Sequence, residues 1–350
     1  MSFSHTQWDL PGPAAFVAAT VKKARATGVV AVIVPRHFPD DFETAIKDEP
    51  GMLELPVIDA SSDEAPLAAL SNAFLLPLKS ARSLRSATAA QGRSALLAGI
   101  DAASLLRWET TLRAYLAGCD DQTEFGSVLI LSAAPDCETT LLQLGIACLP
   151  WRNVISFRDS LPWALRERKI TDPLLDRLAA ETAVCLAGWE LEEVSRQMER
   201  LSNVRAIFEA PAATTPRHDP SWAAGEIDDF DGIAFKRLAL CDDGEIARRM
   251  WRAQVTVLFG WLETLRNDFV QDHDAWLSAT TRLNPGALMT ADQEWAALVH
   301  HARQTLPASD VRRRLAESAR ILRNALAHRE AVSFEMVQNL TDYIRRLSQR

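Results

Sequence analysis

Three short runs of β-branched and aliphatic residues, each bounded by turn formers, punctuate the first 150 residues: "GVVAVIVP" (28–35), "ELPVID" (54–59) and "GSVLILSA" (126–133). Runs of that length and composition predict buried strands. Between and before them, "GPAAFVAATVKKARATG" and "SLLRWETTLRAYLAG" place apolar residues at helical spacing. Strands alternating with helices predict an α/β domain over residues 1–150, a parallel sheet covered by helices. Past Pro150 the pattern changes. "DSLPWALRERKI" and "DPLLDRLAAETAVCLAGWELEEVSRQMERL" predict consecutive short helices, a helical subdomain over 151–210. The stretch "PAATTPRHDPSWAAGEIDDFDG" (211–232) has no periodicity, and 211–242 is expected to be a linker region.

From residue 243 the pattern is purely helical. Trp251, Val255, Leu258, Leu262, Leu265 and Phe269 recur at three- and four-residue spacing, predicting one long amphipathic helix. Trp295, Leu298, Val299, Ala302 and Leu306 predict a second, with Thr290 and Gln293 as a capping box. Leu315, Ala319, Leu322 and Leu326 predict a third, with Ser309 or Asp310 near its start. Val337, Leu340, Ile344 and Leu347 predict a fourth. Four such helices with short connections are expected to form an all-α four-helix bundle over 243–350.

The third helix carries polar chemistry opposite its apolar stripe. Asn324 and His328 are four apart and lie one above the other. Arg313 and Arg320 fall near the same face, and Arg323 lies on its flank. Imidazole can shuttle a proton near neutral pH, guanidinium can stabilise charge developing on a phosphate, and an amide can orient the imidazole. A solvated helix face with an isolated histidine is the alternative reading of the same pattern.

The chain has a net charge of -8, which argues against wholesale nucleic-acid binding, but its distribution is uneven. Residues 311–350 hold nine arginines against four acids. A small basic region thus surrounds the polar face. Five cysteines, an odd number without any C-x-x-C, suggest neither a disulfide framework nor a zinc site. The expected setting is therefore cytoplasmic. Neither a secretory signal nor a membrane span is expected.

"RNALAH", Arg323 to His328, resembles the R-N-x-x-x-H signature of the HEPN superfamily, small four-helix domains that include many metal-independent ribonucleases. The resemblance covers roughly 243–350. It implies Arg323, Asn324 and His328 as catalytic residues, with Arg313 and Arg320 offered for RNA binding. It also implies no metal, no cofactor, an RNA substrate and a homodimer in which two motifs face each other. The expected function is a HEPN endoribonuclease, a toxin or antiviral-defence effector regulated by its N-terminal domain or by a protein partner. The alternative is a non-catalytic dimerisation and partner-binding protein.

The first 150 residues are faintly similar to a degenerate P-loop ATPase, with 150–205 as a lid-like segment, or to a Rossmann-like sensor domain. The latter layout is similar to that of CRISPR-associated ancillary ribonucleases. No G-K-[ST] occurs in the chain, so no lysine is placed to reach β- and γ-phosphates. Asp59 and Asp63 after the second strand are ordinary loop acids. His300 and His301 point in different directions on a helix and are expected at the surface. Asp272 to Asp274 reads as a polar helix end. Trp189 and Trp222 are expected as packing anchors, and Cys119 and the other cysteines as buried residues rather than nucleophiles.

Overall fold

Val29, Val30, Ala31, Val32 and Ile33 are all buried, as a continuous apolar run must be in a parallel strand covered on both faces. In the computed structural model, which describes residues 6–36, 38–52, 55–119, 126–167, 170–213, 219–283 and 294–349, they form the strand β1 (Val29–Ile33). It belongs to a parallel sheet with β2 (Val57–Asp59), β3 (Ser94–Ile100), β4 (Val128–Ala133) and β5 (Ala147–Pro150), in the order β2-β3-β4-β1-β5. The covering helices are α1 (Pro11–Thr27), α2 (Phe42–Lys47), α3 (Pro66–Phe74), α4 (Arg82–Ser86), α5 (Ala102–Cys119) and α6 (Glu138–Gln143). The α/β class expected from the alternation is present. Phe74, Trp108 and Tyr115 are among its largest fully buried side chains.

The chain divides into two compact units that do not follow its order. The first is residues 1–159 with 218–236; the second is 160–217 with 237–350. The stretch expected as a linker therefore contributes structure to the first unit, a hairpin of β6 (Ile227–Phe230) and β7 (Ile233–Lys236). Its turn residues Asp231 and Gly232 both have positive φ, 51° and 78°, the requirement of a tight hairpin turn that Asp-Gly meets. Three carboxylates hold the hairpin down. Asp228 accepts the Asn153 N–H at 3.1 Å, Asp229 pairs with Arg152 at 3.0 Å, and Asp231 accepts the Phe157 N–H at 3.3 Å.

Asp228 is 5% exposed, and burial pushes its carboxyl up to about 6 despite two backbone N–H donors. A carboxyl whose folded pKa exceeds its unfolded value binds its proton more tightly when folded. Stability then falls as pH rises from about 4 through 6, and the charged form costs on the order of 3 kcal/mol at neutral pH. Asp228→Asn keeps an acceptor for Asn153 without the charge. It is expected to stabilise the protein by about 1–2 kcal/mol at pH 7 and by almost nothing at pH 4. Urea denaturation at the two pH values measures this; equal effects at both would refute it.

In the second unit, which takes α7 (Phe157–Arg166) from Ser160 onward, α8 (Pro173–Ala187) and α9 (Leu191–Leu201) follow. From Leu178 to Ala187 every residue of α8 is buried, so this helix needs neighbours on all sides. One neighbour is α9; another is α10 (Asp243–Gln254), whose buried Arg249 donates to the Leu186 carbonyl at 2.7 Å. The helices at 160–210 therefore share a unit with the C-terminal ones.

The long helix expected from Trp251 to Phe269 is continuous but not uniform. A π turn, Val255–Phe259, separates α10 from α11 (Gly260–Asp272). Then follow α12 (Asp274–Leu283), α13 (Trp295–Thr305), α14 (Val311–Ala327) and α15 (Phe334–Ser348). His273 caps α11 before α12 begins, so Asp272 to Asp274 is the polar helix end expected. Asp310, not Ser309, caps α14 by accepting the Arg312 N–H at 2.9 Å. The capping box Thr290/Gln293 lies outside the described residues. α14 packs between α13 and α15 and also touches the π turn.

Candidate functional site

Leu315, Ala319, Leu322 and Leu326 are 1% exposed or less, so the apolar stripe of α14 faces inward as its spacing requires. Along the opposite face Arg314, Ile321 and His328 are exposed and Asn324 is half-buried. Ile321, 59% exposed, stands one turn before Asn324 and two before His328.

His328 is the C-cap residue, not part of the regular helix, and its backbone N–H reaches the Asn324 carbonyl at 2.9 Å. The next residue, Arg329, has φ +60°. Its N–H reaches Leu326 O at 3.4 Å, and the Glu330 N–H reaches Ala325 O at 2.9 Å. That pair of bonds is the Schellman closure, in which glycine usually takes the left-handed position. Here an arginine takes it, at a cost of about 1 kcal/mol.

The long helix clamps this turn from outside. Trp251 donates its indole N–H to Leu326 O at 2.8 Å. Gln254, 2% exposed, exchanges two 3.3 Å hydrogen bonds with the backbone of Val332. These contacts, invisible to any local pattern, fix the backbone on either side of His328.

The structure does not gather every residue expected on this face. Arg323 stacks over Phe259 of the π turn at 5.8 Å and approaches Glu294 at 3.7 Å. Five positions separate it from His328, about 140° around the helix. Within one chain, no hydrogen bond or ion pair joins Arg323, Asn324 and His328 side chains among the described residues. Arg313 is taken up by Glu317 at 3.4 Å and Leu306 O at 3.2 Å. Arg320 is half-buried.

The two histidines of α13 lie away from this face. His300 is exposed, with Gln304 at 3.0 Å, as expected of a surface position. His301 departs from that expectation: it is half-buried edge-on to Trp276, ring centroids 4.8 Å apart, and burial lowers its pKa. Burial pushes the Cys137 and Cys185 thiols up to about 12 and Cys148 to about 11, keeping them protonated and poor nucleophiles. Among the described residues, no cluster of three or more His, Cys, Asp or Glu is placed to hold a metal ion, and no helix is long and apolar enough to cross a membrane.

In the first unit, α1 precedes β1, whereas a phosphate loop joins a strand to the helix after it. The first-turn N–H of Gly12 donates to Asp159 at 2.8 Å, so a carboxylate of the chain itself occupies that helix N-terminus. The carboxyl ends of β1 and β5 meet an aromatic cluster of Trp8, Phe16, Phe38, Phe42 and Trp151. Trp222 donates to Trp151 O at 3.2 Å, and Trp189 is buried, so both are packing anchors. Hydrogen bonds from Ser61 hold Asp59 below the usual carboxylate range, and Asp63 lies 3.9 Å from Arg107. Asp101 caps α5 by accepting the Ser104 N–H at 2.8 Å. Set against protein-family models, curated proteins and solved structures, the chain matches none.

Proposed function

We propose that the chain is a metal-independent endoribonuclease of HEPN type. It would act as a toxin or antiviral-defence effector restrained or triggered through its N-terminal α/β unit. The observation that carries the reading is the exposed end of α14, where His328 is accessible beside Asn324 on a backbone clamped by Trp251 and Gln254. A four-helix bundle around α14 is part of the same proposal, as is the cytoplasmic setting.

Cleavage by the neighbouring 2′-hydroxyl needs a group to take that proton and a group to protonate the leaving 5′-oxygen. His328 supplies the imidazole that takes the 2′-hydroxyl proton and delivers it to the leaving 5′-oxygen. Arg323 is the guanidinium for the phosphate oxygens, and its place on the flank suits a composite site in which one protomer's arginine serves its partner's histidine. Ile321, 59% exposed beside the motif, would be covered in such a pairing.

The test is incubation of the purified protein with total RNA in EDTA. Fragments ending in 2′,3′-cyclic phosphate and beginning with 5′-hydroxyl are expected. Intact RNA, or fragments with 3′-hydroxyls, would refute the proposal. A non-catalytic dimerisation and partner-binding role is the second reading. It is favoured by the engagement of Arg323 with Phe259 and Glu294, which takes the guanidinium away from His328.

A further inference from the structure

A cavity of about 350 Å³ lies in the first unit, at the amino ends of β2 and β3. Leu55, Pro56, Phe74 and Leu75 give it apolar walls, and Lys47 and Arg93 bring two cations to its lining. The cations are not equivalent. Lys47 is ion-paired with Glu43. Arg93 has no ion pair among the described residues; one of its N–H groups reaches the Phe74 carbonyl at 3.0 Å, which leaves the rest of the guanidinium fork open.

The cavity adjoins an open sheet edge. Among the described residues β2 pairs only with β3, and it ends the sheet on its side. Its ladder to β3 runs through Pro56 O, which accepts the Leu96 N–H at 2.9 Å, and through the Ala60 N–H, which reaches Ala98 O at 2.9 Å. Alternate residues of a parallel strand face the neighbour, so the N–H and C=O of Val57 point to the open edge. The Val57 side chain is 42% exposed, and Leu75 on the cavity wall is 79% exposed. Leu75 also holds φ +53°, a left-handed conformation that is costly for leucine. Strain kept at an exposed apolar residue is a reason to look for function there.

An extended chain ending in a carboxylate complements all these features. Its backbone can pair with Val57, as chains add to free sheet edges. Its carboxylate is the charge complement of Arg93, whose planar fork matches two carboxylate oxygens. The direction follows from the cavity's place. A chain that ends at the amino end of β2 runs antiparallel to it, and parallel sheets commonly carry an antiparallel edge strand. We propose that the β2 edge docks the C-terminal tail of a partner protein, antiparallel to β2, with an apolar last residue in the cavity and its carboxylate on Arg93. That such a tail restrains or triggers the ribonuclease rests on the function proposed above; the docking does not.

The test titrates the whole wild-type protein into fluorescently labelled hexapeptides of alternating threonine and valine whose last residue is valine, leucine, isoleucine or phenylalanine. Each is made as the free acid and as the C-terminal amide, and binding is read by fluorescence anisotropy. Saturable binding of at least one free acid is expected, with its amide weaker by about tenfold or more. Arg93→Gln should bring the free acid down to the level of the amide and leave the amide unchanged. Val57→Pro, which removes the outward N–H, should weaken acid and amide alike by about tenfold, and it reads the edge independently of the charge. Absence of saturable binding of all four free acids at millimolar concentration would overturn the proposal, as would equal binding of acid and amide or folded variants that bind like wild type. Isovalerate binding as tightly as the best hexapeptide would also overturn it, reducing the cavity to a site for small carboxylates. Tail binding by a protein that cuts no RNA would uphold the docking and sink the ribonuclease. Cleavage without tail binding would do the reverse.

Discussion

His328→Ala is expected to reduce RNA cleavage by about 10²–10⁴-fold, the usual cost of removing a general acid–base. The side chain is exposed at the C-cap of α14, so its loss should leave the fold intact. The cap is closed by backbone bonds and by Trp251, not by the imidazole. Arg323→Ala should cost activity by a similar factor through lost charge stabilisation. It also removes the stacking on Phe259, so some destabilisation should accompany it. Asn324→Ala should be milder, because the bond from His328 to residue 324 uses the backbone carbonyl. In a composite site, Ile321→Glu should abolish both dimer and cleavage while leaving circular dichroism unchanged. A folded His328→Ala that cuts RNA at the wild-type rate would end the catalytic reading, leaving the motif a partner-binding face.

The features legible in the sequence were those with a local cause. β1 and β4 are runs of valine, isoleucine and leucine, and composition alone marks them as strands. β3, "SALLAGI", and β5, "ACLP", are rich in alanine and leucine, which by themselves favour helix. Pairing decides them: β5 is four residues long and only partly buried, and it becomes a strand by aligning Ala147 to Pro150 with Val30 to Ile33. The hairpin was a missed local signal, since "DFDGIAF" contains an Asp-Gly turn between short alternating runs.

The same division runs through the site. The apolar stripe of α14 and the exposure of His328 follow from helical geometry, which one chain segment fixes by itself. The π turn does not, because its extra residue leaves a spacing that also fits an α-helix. Phe259 of that turn lies 5.8 Å from the Arg323 guanidinium, which helix geometry already places on the flank of the motif face. The clamp is equally illegible, for Trp251 meets Leu326 and Gln254 meets Val332 across 75 and 78 residues. A motif locates the chemistry, but these remote side chains set the backbone that presents it.

Asp159→Ala is expected to destabilise the first unit by about 3 kcal/mol. This carboxylate is 1% exposed and accepts three donors: the Gly12 N–H at 2.8 Å, the Ser156 N–H at 2.9 Å and the Ser156 hydroxyl at 2.7 Å. Hydrogen bonds to a charged group contribute about 1.5–3 kcal/mol each, and the half-buried Gly12 and Ser156 donors would lose their partner. The contact also places its charge at the positive end of α1. Gly12→Ala attacks the same junction from the other side. A Cβ there would lie 2.0 Å from Val154 O and 2.9 Å from the Asp159 carboxylate. A backbone carbonyl cannot be displaced so far without moving the loop after β5, so a loss of about 3 kcal/mol is expected here as well. Because both changes release that loop from α1, the double variant should lose less than the two singles combined. Hydrogen exchange at the amides of α1 and β5 reads this unit directly. Protection lowered by less than about 0.5 kcal/mol in Asp159→Ala, or strict additivity in the double variant, would show that α1 is held by its apolar face alone.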